Sequence, residues 1–317
     1  MKKILFPATF RAHIPRQKLL LEELKKYFEV CVVEHELRGV GMAGKAINTG
    51  DYFLHRMDEI KPDLLLARAD RFEILPIVMV AAYKGIPIAH LEGGDSSGAI
   101  DNRVRHAISQ LADYHFCTNE DSRERLVRMG ISENRIWNFG SLDVEFAKQV
   151  PPRKLRGKPY LFVAYHPIAG ESEEEVTAAI QRIQELRRLA PDVKNDVDSG
   201  GEYDIVNIAS NKDYGRQYGS EKYSPEDYIK LMDREACCIG KSSSFLKEAS
   251  VLGTPVVNIG DRQIGRLRPK NVLDVPCKRD KIVDAVLFQS VTRYDSDHTY
   301  LKLNTAANIA KTLNEVL

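Results

Sequence analysis

Short apolar runs alternate with longer segments of helical period along the whole chain. Lys3-Ile-Leu-Phe6, Val30-Cys-Val-Val33, Leu64-Leu-Leu-Ala67, Ile86-Pro-Ile-Ala89, His115-Phe-Cys117 and Ile136-Trp-Asn-Phe139 predict six strands. Most are apolar at consecutive positions, the pattern of a strand covered by helices on both faces. Between them lie amphipathic segments such as Lys18 to Phe28, Phe72 to Lys84 and Arg103 to Ala112, so the first half reads as a parallel, doubly wound sheet. The pattern stops at Lys148 to Pro159, where three prolines, one glycine and five basic residues leave no apolar period, and this reads as a linker. A second series follows, with strands expected at Tyr160–Tyr165, Ile205–Ala209, Cys237–Gly240, Val256–Ile259 and Val272–Val275. The fold class expected is therefore α/β, with two doubly wound, Rossmann-like domains at residues 1–150 and 158–302 facing across a cleft at the carboxyl ends of their strands. The stretch 303–317 places Ala306, Ile309, Ala310, Leu313 and Val316 on one helical face that has to dock on something.

A length of 317 residues suits two domains. With 46 basic residues against 45 acidic, the net charge of +1 removes any global electrostatic case for a nucleic-acid or membrane-surface partner, and small polar ligands become the natural ones. Apolar stretches such as Ile74 to Tyr83 are too short for a membrane span. The first residues, MKKILFPATFR, carry no signal-peptide pattern, so a cytoplasmic protein is expected. Five cysteines at irregular spacing, with no Cys-x-x-Cys pair, predict neither a disulfide framework nor a zinc site. No metal site is expected.

Gly39-Val-Gly41-Met-Ala-Gly44 has the spacing of a dinucleotide fingerprint, but it follows the second strand across a polar gap instead of following the first directly. It reads better as a flexible loop leading into a helix. A stronger constellation is Asp70-Arg71-Phe72-Glu73 with His90-Leu-Glu92-Gly93-Gly94-Asp95 and Ile100-Asp101. Asp70 and Glu92 close neighbouring parallel strands and so meet at one rim, while the glycines permit a tight backbone path near a ligand. Three acids at one rim would repel one another and push at least one pKa upward, as general acid–base work demands. Each also has a plainer reading, Asp101 as a helix cap and Glu92 as an ion-pair partner. His166 ends the first strand of the second series. Gly240-Lys241-Ser242-Ser243-Ser244 runs from a strand into a helix, a geometry that turns backbone N–H groups and a helix dipole toward an anion; the alternative is an ordinary serine cap. Arg262 and Arg266 follow another strand and suit a diphosphate.

Taken together, these segments resemble the UDP-N-acetylglucosamine 2-epimerase family, and its hydrolysing branch in particular. That branch shows an Asp-Arg-Phe-(Asp/Glu) strand end, a His-Ile-(Glu/His)-Gly-Gly-(Glu/Asp) turn and an Ile-Asp-x-x-x-Arg-His helix start, which appear here at Asp70–Glu73, His90–Asp95 and Ile100–His106. Tyr165-His166-Pro167 resembles its His-Pro motif, Asn211-Lys-Asp213-Tyr-Gly215 its Asn-x-Asp-x-Gly turn, and Arg262-Gln-Ile-Gly-Arg266 its Arg-Gln-x-Gly-Arg run. The chain differs at Thr9-Phe10-Arg11-Ala12-His13, where the family has Gly-x-Arg-Ala-Asp, and at Lys241, where it has Asn.

The resemblance implies a two-domain, glycosyltransferase-B-like fold with UDP mainly on the C-terminal domain and the last helix returning to the first. It implies a reaction without a cofactor. The C2 proton leaves as UDP departs from C1, and water adds to the glycal to give free N-acetylmannosamine, a product that points to sialic-acid biosynthesis. By the same resemblance Asp70, Glu92 and Asp101 share the acid and base roles, with His166 completing the catalytic set and holding the diphosphate together with Arg262. Arg11, Arg71, Asn211, Ser242, Ser243, Ser244, Glu248 and Arg266 are the remaining substrate contacts it implies. A homo-oligomer, dimer or tetramer, is expected. The competing readings are a glycosyltransferase on the same fold and an inactive UDP-sugar-binding protein.

Overall fold

The computed structural model describes residues 1–9, 13–68, 70–98, 100–151, 160–165, 173–189, 204–207, 223–232 and 236–317. The chain divides into two compact units, Met1–Phe146 with Tyr300–Leu317, and Ala147–Thr299.

The first unit is built on six parallel strands, β1 (Lys3–Ala8), β2 (Glu29–Glu34), β3 (Leu64–Arg68), β4 (Ile88–Leu91), β5 (Tyr114–Cys117) and β6 (Ile136–Asn138), in the order β2-β1-β3-β4-β5-β6. Successive side chains point to opposite faces, which explains the unbroken apolar runs. Ile4, Phe6 and Ala8 pack on one face with Leu20 and Leu24 of α1 (His13–Leu24). Leu5 packs on the other with Phe53 and Met57 of α2 (Gly41–Ile60) and Ile77 and Val78 of α3 (Ile74–Tyr83). Beyond β4 come α4 (Asp101–Leu111), α5 (Glu120–Arg128) and α6 (Leu142–Gln149).

Two expectations shift. β4 starts two residues later than the apolar run, because Pro87 has no N–H for the ladder; its carbonyl still accepts from Leu65 N at 2.9 Å. The Gly39–Gly44 segment is already helix from Gly41, and Gly39 (φ +128°) turns the chain into it at a point where an added Cβ would lie 2.7 Å from the Gly44 carbonyl carbon. Steric need explains that glycine.

The second unit holds β7 (Tyr160–Ala164), β8 (Asp204–Asn207), β9 (Ala236–Gly240), β10 (Val256–Ile259) and β11 (Val272–Val275), all parallel, in the order β11-β10-β9-β7-β8. Val176, Ala179 and Ile183 of α7 (Glu173–Leu189) and Ile282 and Val286 of α11 (Arg279–Val291) cover Leu161, Val163, Ile239 and Val257. α8 (Pro225–Leu231), α9 (Ser243–Leu246) and α10 (Glu248–Leu252) complete the unit.

The first unit's core is finished by α12 (Thr305–Val316). Ala306, Ile309, Ala310 and Leu313 join the cluster around Phe6 and Leu20, and Ala306 N donates to Glu145 Oε2 at 2.9 Å. In each sheet the connections reverse direction beside the first strand, between β1 and β3 and between β7 and β9. Open α/β sheets bind ligands outside the carboxyl ends of the strands at such reversals.

Candidate active site

β3 and β4 pair in register through Ala67 with His90 and Arg68 with Leu91, so the chain leaves the two strands side by side, at Asp70 and at Glu92. Glu92 is a non-glycine residue in the left-handed region (φ +64°), a conformation that costs about 1–3 kcal/mol and persists only where surroundings impose it. Its N–H donates to Phe116 O at 2.8 Å, extending the pairing toward β5. Its carboxylate accepts from Arg68 Nη2 at 3.1 Å, and the same guanidinium donates to Asp143 Oδ2 at 2.6 Å. Asp70 accepts from Arg105 Nη2, and Arg105 Nη1 donates to Asp95 O at 3.1 Å. Both rim carboxylates therefore face buried guanidinium groups, which offset the repulsion expected between bare acids.

The turn between β4 and α4 is clamped from the far side. Asp95 is buried, and its Oδ1 accepts from Thr118 Oγ1 at 2.9 Å and Ser122 Oγ at 2.8 Å, while Arg125 donates to Gly94 O. Asp101 is the first residue of α4, with Ile100 in the cap position, so the capping role considered for it does not hold. It stands one turn before Arg105, at the end of the helix dipole that favours a carboxylate. Arg71 is ion-paired to the buried Glu73, which also accepts from Thr9 Oγ1 at 3.0 Å at the end of β1.

Beneath the turn lie two buried histidines. His90 Nδ1 is 3.1 Å from Ser109 Oγ, and its ring meets that of His115 with centroids 6.4 Å apart. Burial first, then the charge of His90, lowers the pKa of His115 to about 3. Folded His115 thus stays neutral while the unfolded chain takes up a proton near pH 6.5. Its contribution to stability is complete above pH 6.5 and is lost progressively as pH falls toward 3. A His115→Phe variant is expected to show a flatter fall in urea midpoint between pH 6.5 and pH 4 than the parent; an unchanged slope would remove His115 as the cause.

In the second unit, β9 ends at Gly240 (φ +143°), where an added Cβ would sit 2.1 Å from Ala164 O of β7. The serine run follows directly. Ser242 and Ser244 hydroxyls are 2.7 Å apart, Tyr228 OH lies 2.7 Å from Ser244 Oγ, and Ser243 is exposed. α9 is a single turn, broken from α10 at Lys247, so the helix dipole read from the sequence shrinks to that of one turn. Glu248 is buried at the start of α10. Gln263 Nε2 donates to Lys241 O at 2.7 Å and Gln263 Oε1 accepts from Arg266 Nη1 at 2.7 Å, which ties the Arg262–Arg266 loop to the serine run. Lys241 is buried with Nζ 4.5 Å from the Tyr165 ring centroid; burial, then the charge of Arg262, lowers its pKa to about 7.

Arg11, His166 and Asn211 lie outside the described residues. The sequence reading missed Arg68, Asp143, Gln17 and Tyr228. Arg68 carried a signal, a charge closing a strand whose other residues are all apolar, whereas the other three emerge only from packing. Among the described residues no group of three or more His, Cys, Asp or Glu is placed to hold a metal ion, and no helix is long and apolar enough to cross a membrane.

Comparison with known proteins agrees with this architecture. A family model described as UDP-N-acetylglucosamine 2-epimerase matches residues 20–314. The GDP/UDP-N,N'-diacetylbacillosamine 2-epimerase (hydrolyzing) of Campylobacter jejuni is 31% identical over 243 residues, covering 70% of this chain and 62% of that protein. This chain thus spans about three-fifths of that relative's length. The UDP-N-acetylglucosamine 2-epimerase of Neisseria meningitidis is 27% identical over 300 residues, covering 87% of this chain and 76% of that protein. Two solved structures share the fold at lower identity. A UDP-GlcNAc 2-epimerase from Neisseria meningitidis bound to UDP-GlcNAc has a TM-score of 0.77 at 17% identity, covering 99% of this chain and 100% of that one. A UDP complex of S. aureus MnaA has a TM-score of 0.79 at 15% identity, covering 99% and 96%. From its family match, over nearly the whole length, the chain belongs to the UDP-N-acetylglucosamine 2-epimerase family.

Proposed function

We propose that the chain is a hydrolysing 2-epimerase, converting UDP-N-acetylglucosamine or a close UDP-HexNAc analogue to the free 2-epimeric sugar and UDP. The observation that carries this reading is the pair of carboxylates at adjacent strand ends, Asp70 on Arg105 and Glu92 on Arg68, with Asp101 one helical turn from Arg105. A weakly acidic C–H needs a carboxylate base held at one point, and buried guanidinium partners hold these two. In the first step a carboxylate takes the C2 proton, the C1–O bond breaks with its electron pair leaving on UDP, and a C1=C2 double bond forms. Water then adds its oxygen to C1 while a proton returns to C2 from the opposite side.

The second unit is assigned the diphosphate, which suits the serine hydroxyls and the cations Arg262 and Arg266. Ser243 is the exposed hydroxyl of the run. Ser243→Ala is expected to weaken UDP binding several-fold in calorimetry while kcat at saturation changes little; a loss confined to kcat would remove Ser243 from the anion site.

The Campylobacter relative's name favours a second candidate substrate, UDP-N,N'-diacetylbacillosamine, in which the sugar carries a second acetamido group. A proton NMR time course in deuterated buffer, run with each UDP-sugar, tests the reading. Release of UDP and a free 2-epimeric sugar bearing deuterium at C2 is expected for one of them. Epimerisation without UDP release identifies a non-hydrolysing enzyme, and absence of C2 exchange with either sugar overturns the proposal in favour of a transferase or a binding protein.

A further inference from the structure

Arg68 is an unusual residue to find where it is. The other four residues of β3 have no exposure, and Arg68 itself is 7% exposed. All of its nitrogens are engaged. Nη2 bridges Glu92 Oε1 and Asp143 Oδ2, and the Gln17 amide, oriented with its oxygen toward the guanidinium, accepts from Nε at 3.1 Å and Nη1 at 2.8 Å. Burial alone would lower its pKa, yet the charges of Asp143 and Glu92 outweigh burial and hold it above the usual arginine range. The guanidinium is thus fixed from α1 and α6 independently of Glu92, and its remaining direction points at a carboxylate whose backbone is itself held in the left-handed region.

We propose that Arg68 is a positioning residue for the reaction: anchored on Gln17 and Asp143, it fixes the direction of the Glu92 carboxylate and supplies the counter-charge beside it. This rests on the functional reading above only in giving Glu92 a sugar to act on. A planar guanidinium held by its other hydrogen bonds to Asp143 and Gln17 aims one N–H at Glu92 Oε1, a direction that a lysine point charge does not fix. An opposite charge at hydrogen-bond distance also favours the ionised form, the form a base needs. The other ionisable groups around this turn include Asp70 after β3, Asp101, Arg105 and His106 of α4, Arg125 of α5, His90 and His115 beneath, and Asp95 within it. None of them is altered by the test.

The test uses the full chain with Arg68→Gln and Arg68→Lys. Should Arg68→Gln fail to fold, Arg68→Gln/Asp143→Asn replaces it, since that double variant buries one fewer unpaired carboxylate. Glutamate labelled with 13C at the carboxyl group is titrated by NMR, with Glu92 assigned by its disappearance in Glu92→Gln. The Glu92 midpoint is expected to rise by about one pH unit or more in Arg68→Gln and by less in Arg68→Lys. With the UDP-sugar that the parent turns over, kcat is expected to fall about 10- to 100-fold in both variants, with KM changed less than about threefold. The acid limb of the pH–rate profile should move upward with the NMR midpoint. A Glu92 midpoint and kcat unchanged from the parent overturn the proposal, and so does a change confined to KM. Failure of the parent to turn over any UDP-HexNAc overturns the functional reading instead, and a midpoint that still rises in Arg68→Gln supports the ion-pair role of Arg68 independently.

Discussion

Glu92→Gln and Asp101→Asn are each expected to lower turnover about 100-fold or more while leaving UDP affinity within a few-fold of the parent. Both substitutions keep shape and remove the ability to take or give a proton at neutral pH. The structure allows alternative costs to be weighed. Asn at position 101 forfeits a favourable carboxylate at the start of α4, a loss of about 0.3–1 kcal/mol in helix stability. A 100-fold fall in rate corresponds to about 2.7 kcal/mol of barrier, well above that. In Glu92→Gln, Arg68 keeps Asp143 and Gln17, so no buried cation is stranded. Steady-state kinetics with calorimetric UDP titration checks both variants. A weakened UDP affinity with unaltered kcat would contradict the assignment of the acids to the chemical step.

The second large effect is structural. Gly94→Ala is expected to destabilise the protein by about 3 kcal/mol or more, read as a lower urea midpoint or as failure to accumulate folded chain. Gly94 has φ +78°, and a Cβ there would lie 2.2 Å from Ser122 O, a backbone atom fixed in α5. No rotamer change relieves that overlap. Gly93→Ala is the internal comparison. Its added Cβ would meet the His90 ring nitrogen at 3.0 Å, a longer contact and to a side chain instead of fixed backbone, so a milder loss is expected. Equal losses in the two variants would show that the backbone of α5 yields where the geometry says it does not.

The sheets were legible because their strands are covered on both faces. Ile4 and Phe6 serve one core cluster and Leu5 the other, so no polar position interrupts the run. The start of β4 was less legible, since Pro87 has no N–H for the ladder and the strand begins only at Ile88. The acids of the site were visible as a motif, but their partners were not, because Arg105 reaches Asp70 only through the docking of α4 and Arg68 reaches Asp143 only through the placement of α6. The serine run was legible as a row of hydroxyls, but its local partners were not. Two of the three hydroxyls hydrogen-bond within the fold, to each other and to Tyr228, a contact that only packing brings about.

The return of α12 to the first unit has a consequence for synthesis. Leu20, Leu24 and Phe6 leave the ribosome long before Ala306, Ile309 and Leu313, the residues that cover them, and the whole of Ala147–Thr299 is translated in between. The nascent amino-terminal half therefore carries an uncovered oily face for most of elongation, and its closure is a late, long-range event. Chaperone dependence in this protein should follow the time taken to translate the intervening unit more closely than that unit's own stability.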